Sequence, residues 1–172
     1  ADYLDLTPRE NARHRSLGFT TALVAPGRGI IAGESVLANL TPNHLNDGTL
    51  NPAVAQHIRL WPGGKKSSSY PRSLMGRMAV IRQTFHDADW YASARDQYAQ
   101  NPAARERPVY NASLEALGPM LRGERAVFAE SGDELGYARI SKILAEFKLS
   151  AAILGNGYEY RVRDKLKAAG HT

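Results

Sequence analysis

The chain of 172 residues contains no cysteine, which excludes disulfides, thiolate zinc sites and cysteine nucleophiles together. It has no apolar run near the roughly 20 residues that a membrane-spanning helix needs, and no basic-then-apolar segment of the signal-peptide kind. A soluble chain without a membrane span is expected. Histidine is sparse and poorly spaced for zinc: His14, His44, His57, His86 and His171 form neither H-x-H nor H-E-x-x-H. There is no fixed-period repeat, no low-complexity segment beyond three serines, and no interdomain linker, so residues 1–172 read as one domain. The first residue is Ala1 rather than Met, from which a removed N-terminal segment or an origin inside a longer protein is expected.

What is present is ordinary globular material: 43% hydrophobic and 23% charged residues, enough for a real core. Net charge is +5, but the basic residues are scattered among acids without an arginine-rich arm, so nucleic acid is not an expected partner. Thr7, Pro8 and Glu10 mark a helix start, and Gly18 its stop. FTTALVAP (19–26) reads as a buried strand, followed by Gly27, Gly29 and Gly33 and a turn at Asp47-Gly48. VAQHIRLW (54–61) alternates as a strand and ends at Pro62-Gly63-Gly64; 65–73 is exposed loop. Leu74, Met78, Ile81, Phe85, Ala88 and Ala92 recur at helical spacing, predicting a helix to about Ala99, closed by Asn101-Pro102. A shorter helix is expected over 111–121.

The last third holds two strand-then-helix units. AVFAE (126–130) stops at Glu130 before SGDELGYARISKILAEF, and AAILGN (151–156) stops at Asn156 before GYEYRVRDKLKAAG. Parallel α/β folds bind ligands at the carboxyl ends of strands, which makes Glu130 a candidate catalytic residue and Asn156 a candidate substrate contact. Neither strand ends in histidine. Burial would raise the pKa of a carboxylate at that place and prepare it as metal ligand or general base. The local alternative is that Glu130 only serves the positive end of the helix opened by Ser131-Gly132-Asp133-Glu134.

Other motifs carry less. Gly27-Arg28-Gly29-Ile30-Ile31-Ala32 follows a strand and satisfies the loose G-x-G-x-x-[GA] dinucleotide pattern, with Asp47 about 20 residues on. Pro26 precedes the first glycine, Gly33 would interrupt the first helical turn, and no long amphipathic helix follows. A glycine-permitted bend or hairpin is the better reading, with the backbone of Gly27, Arg28 and Gly29 approaching a substrate; nucleotide binding there is the lesser alternative. Gly63-Gly64-Lys65-Lys66-Ser67 fails as a phosphate loop, because Arg59 stands where its first glycine belongs and Lys66 where its hydroxyl belongs. Asn39-Leu40-Thr41 and Asn111-Ala112-Ser113 match the glycosylation sequon, a triplet common by chance. His57 reads as a cross-strand or partly buried residue rather than a ligand. His86, Asp87 and Asp89 read as a solvated helix face.

Four segments together resemble the metal-dependent amidohydrolase superfamily, in its imidazolonepropionase-like branch. They are GFTTALVAPGRGIIAGESVLANL (18–40), YPRSLMGRMAVIRQTFHDADWY (70–91), RPVYNASLEALGPMLRGERAVFAES (107–131) and LAEFKLSAAILGNGYEYRVRDKLKAAG (144–170), with S-x-M-G-x-x-A-x-I-R-Q and D-A-x-W-Y the most specific runs. The resemblance implies a bacterial (β/α)8 barrel that holds a divalent metal, zinc or similar, at the strand ends. A metal-activated water would there hydrolyse a cyclic or other non-peptide C–N bond of a small-molecule substrate. The compartment stays open, because lack of cysteine fits both cytoplasm and periplasm.

On this likeness the chain is a central slice, an α/β, TIM-barrel-like fragment of about five strands with helices packed on the sheet. The H-x-H of the first strand would lie before Ala1 and the late aspartate after Thr172. The histidines of two middle strands fall at Ala129 or Glu130 and at Asn156. Three explanations stand side by side: Glu130 substitutes as a ligand, the barrel binds without hydrolysing, or the slice is not the functional unit and is inactive alone. Five strands cannot close an eight-stranded barrel, so pairing with another copy or with the missing barrel segments is expected, or cover by the chain's own helices.

Overall fold

The first ordered element is set by its cap. In the computed structural model, which describes residues 7–41, 45–61 and 70–169, the Thr7 hydroxyl accepts from the Glu10 N–H while the Glu10 carboxylate accepts from the Thr7 N–H at 2.9 Å. This capping box opens α1 (Pro8–Ser16), which ends before Gly18 as its sequence predicts. The buried residue of α1 is polar, Asn11. Its Nδ2 donates to the Thr41 carbonyl and Arg15 Nη1 donates to the Leu40 carbonyl, so α1 docks on the sheet through hydrogen bonds rather than an apolar stripe.

β1 (Thr21–Val24), β2 (Ile31–Asn39) and β3 (Thr49–Arg59) form an antiparallel meander. The glycine-rich stretch makes the hairpin bend between β1 and β2, with Gly29 at φ +102, and runs on into β2, where Gly33 at φ +101 sits at a register shift; both conformations cost glycine least. β1 was expected to be buried and is instead a sheet edge, with Leu23 43% exposed. Its apolar composition does not distinguish an edge from a centre.

From β3 onward the sheet turns parallel. β4 (Ala126–Glu130) pairs with β3, and β5 (Ala152–Leu154) with β4, giving the order β1-β2-β3-β4-β5. The β3-to-β4 crossover carries α2 (Leu74–Gln100) and α3 (Ala112–Leu121); the β4-to-β5 crossover carries α4 (Glu134–Glu146); α5 (Arg163–Ala169) follows β5. The result is the expected α/β architecture, a five-stranded, curled half-barrel sheet with helices packed against it.

Alternation decides which strand residues meet the helices. Ile58 and Leu60 of the β3 end, with Val127 and Ala129 of β4, join Ile81, Phe85 and Ala88 of α2, Leu117 and Met120 of α3, and Ile140, Ile143 and Leu144 of α4 in one core. The spacing 81, 85, 88 is one helix face, and full burial of each large side chain contributes about 1.5–3 kcal/mol. The S-x-M-G run has a local explanation. Ser73 caps α2 by accepting from the Gly76 N–H at 3.1 Å, and a Cβ at Gly76 would stand 2.7 Å from Pro71 Cβ. Arg77, buried, fixes α2 to the β3 end by donating to the carbonyls of Leu60, Pro71 and Arg72.

The intervening positions, His57 and Arg59 of β3 and Phe128 and Glu130 of β4, take the opposite face. His44, His171, the Pro62-Gly63-Gly64 strand end and the 63–67 motif lie outside the described residues.

Candidate functional site at the carboxyl ends of β3 and β4

Parallel register makes two rungs on the face turned away from the core helices: His57 opposite Phe128, and Arg59 opposite Glu130. The outer rung is an ion pair, Arg59 Nε to Glu130 Oε1 at 2.6 Å. The Arg59 side chain is 9% exposed and that of Glu130 32%, so the pair is sheltered on the arginine side and open on the carboxylate side. Arg59 Nη1 donates to the Pro26 carbonyl at 2.5 Å, and the Arg59 N–H to the Ile30 carbonyl at 2.7 Å. One arginine therefore ties the glycine bend, β3 and β4 together.

The inner rung is aromatic. His57 stacks on Phe128 with centroids 5.3 Å apart and planes 15° from parallel. It is 7% exposed, and its Nε2 is buried without a hydrogen-bond partner among the described residues. Burial first, then the charge of Arg59, holds its pKa below the ordinary histidine value, with Glu130 opposing. The expectation of a cross-strand or partly buried histidine is met.

The remaining predicted residues divide. The positive end of α4 is served by Asp133, whose carboxylate accepts from the Gly136 N–H, and Glu130 turns instead to Arg59. Asn156 is exposed at the β5 end and works locally: its Nδ2 donates to the Gly132 carbonyl at 3.1 Å and its Oδ1 accepts from the Tyr158 N–H at 3.0 Å. Gly27, Arg28 and Gly29 are exposed in the bend that Arg59 anchors through Pro26. That bend opens a strand, so no helix N-terminus stands at Gly27 to cradle a pyrophosphate. Trp61 closes the rim, lying against Gly132 so tightly that a Cβ there would come within 2.0 Å of the indole, with Arg77 4.8 Å above the ring.

The metal implied by the resemblance was tested against these donors. Among the described residues no group of three or more His, Asp or Glu is placed to hold a metal ion, and the carboxylate at the strand end already faces a guanidinium. The described donors do not by themselves fit a divalent metal. A cavity of about 360 Å³ lies at the other, amino ends of β4 and β5, lined by Met120, Arg125, Phe128, Lys148, Leu149 and Ala152. That end of a barrel sheet serves stability more than chemistry.

Sequence reasoning missed Arg59. It is separated from Glu130 by 71 residues, and nothing in local spacing announces a rung across a crossover. The one available signal was its place, two residues beyond His57 on the same strand face.

No protein-family model and no curated protein matches the chain. In fold it is similar to the crystal structure of an amidohydrolase from Thermotoga maritima MSB8, with a TM-score of 0.71 and 17% identity, over 85% of this chain and 39% of that one. The fold is amidohydrolase-like. The chain spans about two-fifths of the length of that neighbour. No helix among the described residues is long and apolar enough to cross a membrane.

Proposed function

We propose that the chain is a central segment of an amidohydrolase-like barrel in a longer protein that hydrolyses cyclic or other non-peptide C–N bonds of a small molecule, and that it supplies substrate-facing rim rather than metal. The observation that carries this is the Arg59–Glu130 pair at the carboxyl ends of parallel strands, where α/β folds take their ligands. A carboxylate already held by a guanidinium is a poor ligand for a divalent cation, because the guanidinium charge opposes a second cation beside it. The metal of the intact protein, which would activate the attacking water, then belongs to residues outside this chain. The imidazolonepropionase-like branch sets the substrate expectation, a ring amide.

The test is hydrolysis of a cyclic amide and a dipeptide by the purified full-length protein with zinc or manganese present. Turnover by the full-length protein and none by the 172 residues is the expected result; absence of turnover of both substrates removes the hydrolase reading. A second reading, a noncatalytic binding module derived from the barrel, is favoured by the lack of a metal-holding group among the described residues. It predicts binding of a small molecule without turnover.

A further inference from the structure

We infer that the outer rung is a recognition edge for a neutral amide or ureide, with the guanidinium of Arg59 donating to the ligand C=O and the free oxygen of Glu130 accepting from the adjacent ligand N–H. This deepens the proposed function and rests on that reading for the ligand's place in a reaction.

The argument is one of unused atoms. Arg59 spends Nε on Glu130 and Nη1 on Pro26, while Nη2 makes no hydrogen bond among the described residues. Glu130 spends Oε1 on Arg59, while Oε2 likewise makes none, and its side chain is one-third exposed. A guanidinium fork and a carboxylate each offer more hydrogen-bonding capacity than this pair consumes. What remains is one donor group beside one acceptor, fixed by a buried arginine with little freedom to turn.

Charge selects the ligand class. The pair is neutral as a unit: an anion drawn to Arg59 meets the Glu130 carboxylate, and a cation drawn to Glu130 meets Arg59. A neutral group with adjacent C=O and N–H satisfies both sides and meets no like charge. The rung behind adds no charge to upset this balance, since His57 is stacked on Phe128 and burial favours its neutral form. Asn156 is not part of the edge, because its amide is engaged with Gly132 and Tyr158.

Calorimetric titration of the purified full-length protein with 2-pyrrolidinone, N-methyl-2-pyrrolidinone and acetate tests this. The first is a ring amide with both groups, the second lacks only the N–H, and the third is an anion. The lactam is expected to bind about tenfold or more tightly than its N-methyl form, acetate to be weaker than the lactam, and Arg59→Lys to weaken the lactam by a similar factor. Equal binding of the two lactams overturns the inference, as does no lactam binding or tighter binding of acetate. The ligand comparison needs no variant, so it stands even where Arg59→Lys disturbs the fold. Selective lactam binding without turnover of any cyclic amide supports the edge and removes the hydrolase reading. Turnover with equal affinity for the two lactams keeps the hydrolase reading and overturns the edge.

Discussion

His57 and Arg59 share a strand face two residues apart, yet burial gives them opposite fates. Glu130 and the Pro26 carbonyl receive donors of Arg59, whereas His57 Nε2 is buried with no partner among the described residues, so protonating it would place a cation without its own hydrogen-bond acceptor beside Arg59. Its pKa is depressed in the fold, chiefly by burial. The sign of the consequence is fixed. As pH falls, the unfolded chain takes up this proton before the folded one does, so the stability it contributes is complete above the ordinary histidine value of about 6.5 and declines below it. Chemical denaturation from about pH 7.5 to 5 should show wild type losing stability relative to His57→Gln only in the acid half of that range. Parallel curves for the two proteins would contradict the assignment. The pairing of Arg59 was not readable from local spacing, since Glu130 lies on a strand reached only after two helices, whereas His57 was readable as a cross-strand or partly buried residue.

At the scale of elements, legibility followed the range of the interaction. The capping box of α1 and the long stripe of α2 are decided within a few residues, and their sequence signals stand in the structure almost to the residue; the helix expected over 111–121 is α3, with Asn111 as its cap. β1 and β2 were harder. Burial of β1 was overestimated because apolar residues 21–24 do not say how many neighbours a strand has. β2 carries Gly33 and three polar residues and shifts register against β3, which blurs the period-two pattern. The contrast between buried and exposed faces of α2 gives a direct check. Phe85→Ala removes a fully buried ring that touches Phe147 edge-on at 5.1 Å, and should cost about 3–5 kcal/mol in guanidinium unfolding. Trp90→Ala, at a position 67% exposed, should stay within about 0.5 kcal/mol of wild type. Similar losses at the two sites would mean that the face of α2 has been misassigned.

At the scale of the molecule, one sheet gives its two faces different partners. Ile58, Leu60, Val127 and Ala129 bind the helices, while the residues between them place an ion pair and an aromatic pair on the opposite face. This division explains why the strand ends looked like a metal site in the sequence: a carboxylate closing an apolar strand is common to both uses, and only the partner across the rung separates them. Glu130 was visible as a candidate; its role was not, because that depends on Arg59. The central claim is that the Glu130 carboxylate belongs to the guanidinium and to a neutral ligand rather than to a metal. Equilibrium dialysis of the purified protein against zinc, followed by metal analysis of wild type and Glu130→Ala, tests it most directly. The account predicts the same bound zinc content in both proteins; stoichiometric zinc in wild type that is lost in Glu130→Ala would contradict it.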